Sequence, residues 1–478
     1  MPKEFIVAIE LGSSKITGIA GRKNQDGSIS VLAVVKEKSN QCIRKGVVYN
    51  IDKTVQTLTN IVKKLENTLK TKIAQVYVGV SGQSIRSVRN NIVKEFPQLT
   101  IVSSDMINEL MDANRNMSYP DQEILDAVTQ EYKVDAQYQL DPVGIECSRL
   151  EGNFLNILWR KSNYRNLNKC FDNAGIAIAE MYLAPLALAD SILTEAEKRS
   201  GCVLVDLGAE TTTVSVYYKN ILRHLSVIPL GGDNITKDIA SLQMEESDAE
   251  RMKLKYGSAF TKNADIDSTL SYSIDNDRSI ESRKFIEIVE SRVEEIIENA
   301  WFQVPNEYYD KLMGGIILTG GGSNMKDIAQ AFTNHTHIEK IRIAKFVAPT
   351  INSNNAEITA HNGTMNTVLG LLAKGDMNCA GDDLQQATLF SDTPQPAVDR
   401  PTSRPASDTP GSGVVRTEAD KAKEAELARL KKEKEEAQKA EEERKRQEEE
   451  ERKRRENSPI NKAWTGLKKF LTKITEEE

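Results

Sequence analysis

The chain is short of cysteine and histidine. Its 478 residues include five cysteines, Cys42, Cys147, Cys170, Cys202 and Cys379, an odd number with no Cys-x-x-Cys pair. That excludes a disulfide framework and a thiolate metal cluster, and it leaves the cysteines as small buried apolar residues in a reducing compartment. The four histidines, His224, His335, His337 and His361, include no His-Glu-x-x-His, and the sequence sets no cysteine or carboxylate cluster around them. A structural zinc site is therefore not expected. Long apolar runs are missing too: the most apolar stretch, AGIAIAEMYLAPLALADSIL, is broken by Glu180, Pro185 and Asp190, which argues against a membrane span. The apolar run within Met1–Glu10 is too short for a signal peptide. Nor is there an excess of positive charge. The 63 Lys and Arg against 70 Asp and Glu give a net charge of −7, so nucleic acid is not an expected partner.

What is present is unevenly distributed. At this length two to four domains or subdomains are expected. Residues 1 to about 380 mix β-branched strands, glycine turns and amphipathic helices, the pattern of an α/β protein. Residues 382–415, containing SDTPQPAVDRPTSRPASDTPGSG, are rich in Pro, Ser, Asp and Thr and read as a disordered linker. Residues 416–456 hold 15 Lys or Arg and 15 Asp or Glu, with Leu427 and Leu430 as the only large apolar side chains. Opposite charges three or four apart suit a solvated helix, and the absence of an apolar heptad excludes a coiled coil, so this is a spacer.

The motif-bearing stretch comes first. FIVAIELGSSKITGIAG, from Phe5 to Gly21, runs as an apolar strand to an acid, Glu10, then turns through Gly12, Ser13 and Ser14. Such a turn is either an ordinary hairpin with a solvated glutamate or a cradle for a phosphate and a cation. A second copy narrows the choice: AIELGSSKITGI (8–19) matches LVDLGAETTTVS (204–215), which places Glu10 and Asp206 at equivalent positions 196 residues apart. Two related halves would offer a ligand two turns of backbone N–H groups, hydroxyls on Ser13, Ser14 and Thr211–Thr213, and two carboxylates. Phosphates bind the first and Mg²⁺ the last. GGIILTGGGSNMKDIAQAF (314–332) adds an apolar strand, three glycines and a helix expected from Asn324, an arrangement that admits a flat base or ribose close to the backbone. EESDAERMKLKYG places Glu250 and Lys253 one helical turn apart, an ion pair on one face.

These four stretches, in this order, resemble the superfamily of actin, heat-shock chaperones and sugar kinases. More narrowly, QEYKVDAQYQLDPVGIECSRLEG (130–152), AEMYLAPLALADSIL (179–193), IPLGGDNITKDIA (228–240) and HNGTMNTVLGLLAKG (361–375) resemble the FtsA family of bacterial cell division, over roughly residues 4–376. The resemblance implies an actin-like, duplicated ribonuclease-H-like two-domain α/β ATPase fold. Subdomain 1A would span 1–82 and 166–200, an inserted 1C subdomain 83–165, and subdomains 2A and 2B with a closing helix 201–376. It also implies ATP and Mg²⁺ as ligands. Gly12, Ser13, Ser14, Lys15, Gly208 and Thr211 would contact the β- and γ-phosphates, with Gly232 from the IPLGGD stretch also in the nucleotide site. Glu10 and Asp206 would hold the Mg²⁺ shell, Glu250 and Lys253 would face ribose and adenine, and Gly321, Gly322 and Ser323 would close over the adenosine. Two departures matter. The family usually has Asp where this chain has Glu10, and the position where actins carry a water-orienting Gln is Leu186, which can neither hold water nor move a proton. ATP binding with slow hydrolysis is the expectation.

The last residues, ENSPINKAWTGLKKFLTKITEEE, supply a helix start at Ser458 and Pro459. Over 458–475, Ile460, Trp464, Leu467, Phe470, Leu471 and Ile474 recur every three or four residues beside Lys468 and Lys469. Such a helix either packs back on the core or lies at an anionic membrane surface. Because the spacer separates it from the core, the membrane reading is preferred. Family partners would be the C-terminal peptide of FtsZ, docking on 2B around 235–310, other copies of the chain in filaments, and other division proteins. The implied location is the cytoplasmic side of the membrane at the division septum. Another actin-like scaffold, for pilus assembly or cell shape, and a sugar or carboxylate kinase remain as alternatives.

Overall fold

The computed structural model describes residues 4–383, except 268 and 276, and residues 411–430, except 428. The expected duplication is present in the backbone. In the first half, Ile6–Leu11 pairs antiparallel with Lys15–Lys23, which pairs with Ile29–Lys38. On its other side Ile6–Leu11 pairs parallel with Gln75–Val80, and that strand with Ala177–Leu183. The second half repeats the order with Ile221–Ile228, Thr212–Tyr218, Cys202–Leu207, Gly315–Thr319 and Ile341–Ile343. Register repeats as well. Glu10 faces Thr17 in the first hairpin and Asp206 faces Thr213 in the second. In the leading strands IVAIEL and CVLVDL every residue is buried except the acid, as strands covered on both faces require.

Helices cover both halves. Ile51–Leu69 begins at Asn50, whose side chain accepts from Lys53 N at 3.0 Å, and buries Leu58, Ile61 and Leu65 on one face. Ser282–Phe302 does the same in the second half through Phe285, Val289, Val293 and Ile297. The inserted subdomain is the long antiparallel set Arg86–Ile101, Gln122–Val134 and Glu146–Arg160. Its small core of Val102, Leu110, Tyr132, Leu150 and Phe154 forms beneath the helix Ser104–Arg115. It joins the second half where Arg86 pairs with Ser226. All five cysteines are buried free thiols.

Two local expectations differ from what is observed. The helix expected from Asn324 begins at Ile328. Gly321–Asn324 instead forms a 3-10 turn followed by extended Met325, Lys326 bridges to Ser258, and Asp327 in the left-handed region leads into the helix. The span read as linker ends in order: Val414–Val415 adds an antiparallel strand to the edge of the first sheet, against Met181 and Tyr182. Gly411 N and Gly413 N donate to Asp126 at 3.2 and 2.8 Å, Leu183 N donates to Gly413 O at 2.7 Å, and Val415 is 2% exposed. A short edge strand needs little apolar sequence when a buried carboxylate supplies acceptors, and composition alone does not reveal that.

The described residues up to Thr417 form one compact unit, and those from Glu418 belong to a second. In the second unit, residues 418–427 are helical. The rest of the charged spacer and the amphipathic stretch 458–475, with Ile460, Trp464, Leu467, Lys468, Lys469, Phe470, Leu471 and Ile474, lie outside the described residues. Among the described residues no helix is long and apolar enough to cross a membrane.

Candidate functional site

The two hairpin turns are built alike. Gly12 N donates to Lys15 O at 3.0 Å, and Gly208 N donates to Thr211 O at 2.9 Å. Each bond tightens its turn and leaves the two amides inside it, Ser13 and Ser14 or Ala209 and Glu210, with no backbone acceptor among the described residues. Successive unpaired amides in a turn are the donor set of an anion nest. Ser13 Oγ accepts from Gly46 N at 2.8 Å, which fixes the side chain while its own proton stays available to an acceptor. Ser39 Oγ donates to Gly12 O at 2.6 Å, a support the sequence does not signal. Ser14 is exposed and Lys15 partly buried. The halves meet beside these turns, where Lys45 N donates to Glu210 Oε2 at 2.6 Å.

The two acids are electrostatically poised. Burial pushes the Glu10 carboxyl up to about 7, and the facing Asp206 charge adds to the effect. Burial alone raises Asp206 to about 6. Lys36, paired with Glu357, is lowered to about 8 by its own burial and by Lys15. Two partly buried carboxylates repelling each other beside two anion nests match the donor set of a hard cation with phosphate oxygens. Mg²⁺ with a polyphosphate fits these residues.

Most of the remaining expected residues are tied into the turns and helices around the two hairpins. The helix Gly232–Ala240 is docked on the second turn: Gly232 N donates to Gly208 O at 3.0 Å and Asp233 N to Ala209 O at 2.7 Å. The Gly232 amide is thus committed to holding the hairpin. Glu250 and Lys253 do pair, at 2.6 Å, but Lys253 is 8% exposed and also donates to Gly232 O at 3.0 Å and Thr236 Oγ1 at 2.8 Å. It is a buried strut between two helices as well as an ion pair. Gly320, at φ +83°, lies so close to Asp206 that a Cβ would fall 2.4 Å from Oδ1. Gly322 backs onto Leu207 and Gly321 is open. Ser323 is buried with its Oγ donating to Gly320 O at 2.7 Å, so its hydroxyl holds the turn. Leu186 sits in the helix Ala184–Ile192, 6% exposed, and packs near Gly413.

Comparison with known proteins decides the family. Residues 203–365 match the family described as cell division protein FtsA, and residues 82–158 match the SHS2 domain inserted in FtsA. The cell division protein FtsA of Porphyromonas gingivalis is 33% identical over 330 residues, 68% of this chain and 69% of that protein. The chain belongs to the FtsA cell-division family. FtsA of Pseudomonas aeruginosa is 31% identical over 330 residues, covering 68% of this chain and 79% of that protein. Among solved structures, a PilM-PilN type IV pilus biogenesis complex aligns with TM-score 0.53 at 14% identity, covering 78% of this chain and 98% of that one, a likeness of fold. The FtsA-type SHS2 insertion corresponds to the antiparallel subdomain described above, and an actin-like α/β fold carries it.

Folding also assembles a group that the linear sequence hides. His335 Nδ1 lies 3.9 Å from Glu294 Oε1 and 3.9 Å from Glu298 Oε1. The acids are one turn apart on the helix Ser282–Phe302, and the histidine comes from Ile328–Thr336. Reading for clusters near in sequence passes over such a trio.

Proposed function

We propose that this FtsA-family chain is an actin-like ATP-binding protein that polymerises on the inner face of the cytoplasmic membrane and tethers FtsZ filaments to it during division. The observation that carries the nucleotide part is the pair of equivalent hairpins, each with an acid at the same register and two turn amides without a backbone acceptor among the described residues. The turn amides of Ser13, Ser14, Ala209 and Glu210 would bind phosphate oxygens, with the Ser13 hydroxyl and Lys15 alongside. Glu10 and Asp206 would hold Mg²⁺ through its waters. Bound there, Mg²⁺ neutralises phosphate charge and relieves the repulsion between the two acids. Because the Lys45–Glu210 contact joins the halves beside the turns, a ligand held by both favours the closed arrangement. Leu186 supplies no acceptor for a water proton, so hydrolysis is slow and the nucleotide serves mainly to set conformation. Turnover on the order of 10 per second, ordinary for an enzyme, would contradict this.

The membrane part rests on the sequence of 458–475. A single helix with six large apolar residues and a few lysines gains about 1 kcal/mol per lysine near an anionic surface, while ordering it costs about 1 kcal/mol or more per residue. One tail binds reversibly; many tails on one filament bind together. Calorimetric titration with Mg·ATP tests the first part: micromolar or tighter binding that Glu10→Ala weakens supports it, and equal affinity in both proteins removes Glu10 from the site.

A further inference from the structure

A cavity of about 560 Å³, lined by none of the residues of the two hairpin turns, opens where the inserted subdomain meets the second half. Its walls come from the strands Arg86–Ile101, Gln122–Val134 and Glu146–Arg160 on one side, and from the strand ends and turn that carry Tyr218, Lys219 and Arg223 and the segment Asn306–Lys311 on the other. Arg223 lines it while only 6% exposed. The guanidinium is held by neutral groups: Nη1 donates to Gln130 Oε1 at 3.2 Å, and Nε to Tyr218 O at 3.3 Å. Gln130 is itself fixed, its Nε2 donating to Leu222 O at 2.9 Å, so its oxygen is presented to the arginine.

No carboxylate forms an ion pair with Arg223 among the described residues. A guanidinium has five N–H groups, and a buried cation without a counter-charge is costly unless something anionic reaches it. The surroundings add to the positive field. Arg89, Lys219 and Lys311 also line the cavity, against Glu131 and Glu307, and Glu307 is already paired with Arg89. The two lysines are steadied on aromatic rings: Lys219 Nζ lies 5.5 Å and Lys311 Nζ 5.9 Å from the Tyr218 ring centre, and Lys311 is 5.5 Å from that of Tyr308. Arg89 Nη2 donates to the Tyr308 hydroxyl at 3.1 Å. Arg89 and Glu307 cancel, so Lys219, Lys311 and Arg223 against Glu131 leave the lining at a net charge of +2, in a protein of net charge −7, with the arginine buried and without an ion-pair partner among the described residues.

We propose that this cavity is a binding site for a small multiply charged oxyanion, a phosphate- or carboxylate-bearing molecule whose anionic group pairs with Arg223 while Lys219 and Lys311 neutralise the rest. The planar fork of arginine suits both carboxylate and phosphate oxygens, and the volume is within the ordinary range for small-ligand pockets. Because the walls belong to the inserted subdomain and to the second half, occupancy ties the two together.

Isothermal titration of the full chain with inorganic pyrophosphate and, separately, with citrate tests the site and tells phosphate from carboxylate preference. At least one probe is expected to bind the wild type with Kd below about 10 mM. Arg223→Gln is expected to weaken it about tenfold or more, and Lys311→Ala about fivefold, while Mg·ATP titrations of the same variants match the wild type. The proposal is overturned if neither probe binds, or if Arg223→Gln and Lys311→Ala bind both probes as well as the wild type, because the anion then sits in the hairpin cleft. Should Arg223→Gln fail to fold, Lys219→Ala with Lys311→Ala at the rim decides the matter by the same criterion. A second readout separates ligand binding from a purely structural arginine. Without added anion, Arg223→Met should unfold at the same or a higher temperature than the wild type, and pyrophosphate or citrate should raise the wild-type temperature only. A Met variant clearly less stable than the anion-free wild type would make Arg223 a structural residue and contradict the proposal.

Discussion

Gly320 and Asp206 touch so closely that no other residue fits between them. A Cβ on Gly320 would stand 2.4 Å from Asp206 Oδ1, and the backbone there has φ +83°. The glycine turn of the second half therefore sets the position of the acid at the end of the second hairpin's leading strand. Gly320→Ala is expected to destabilise the protein by about 1–3 kcal/mol and to lower Mg·ATP affinity about tenfold or more by displacing the carboxylate. Gly321→Ala, whose nearest neighbour would be Thr364 Cγ2 at 3.8 Å, should change neither. Thermal unfolding and calorimetric titration of both variants give the comparison.

The acid pair implies a definite pH dependence. Glu10 is raised to about 7 and Asp206 to about 6, so the ligand-free fold holds protons on them that the unfolded chain has already lost. Their contribution to stability is present at low pH and fades as pH rises through these values. Mg²⁺ affinity moves the other way, because the cation needs both groups ionised. Mg²⁺-dependent ATP affinity should increase between about pH 6 and pH 8, and Glu10→Gln should flatten much of that rise. Glu10→Asp should keep binding. A pH-independent affinity in the wild type would show that the acids do not hold the cation.

The edge strand at 414–415 depends on Asp126. Burial raises this carboxyl to about 6, against the backbone N–H groups of Gly413, Ala127 and Gly411 that favour its charge. Amide hydrogen exchange should find Gly411, Gly413 and Val415 protected in the wild type. Asp126→Ala, which removes both acceptors, should expose all three, and Val415→Asp should do the same by placing a charge in a buried position. Gly413 has φ +77°, and a methyl group added to it would stand 3.2 Å from Leu186 Cβ, so it should tolerate Ala poorly by the same measure.

Much of this architecture is readable in the chain. The match between AIELGSSKITGI and LVDLGAETTTVS becomes two hairpins of identical register, because strand, acid, glycine and hydroxyl residues each carry their own local instruction. Contacts between distant residues are not readable in that way. Gly413 finds Asp126 across 287 positions, so GSGVV looks like the rest of a polar linker. Gly232 and Ser323 look like ligand groups, yet the fold assigns the amide of one and the hydroxyl of the other to holding turns. Arg223 gives no signal at all in sequence: its meaning lies in the carboxylate that folding does not bring to it.

The tether reading is tested most directly by one co-sedimentation measurement. The full chain, and a version ending at residue 457, are spun with anionic liposomes in the presence of Mg·ATP and a labelled FtsZ C-terminal peptide. The full chain should carry the peptide into the pellet, with the amount rising steeply as the protein concentration passes the point where filaments form, and the truncated chain should leave it in the supernatant. Equal pelleting of the peptide by both chains, or none by the full chain, would contradict a membrane tether for FtsZ.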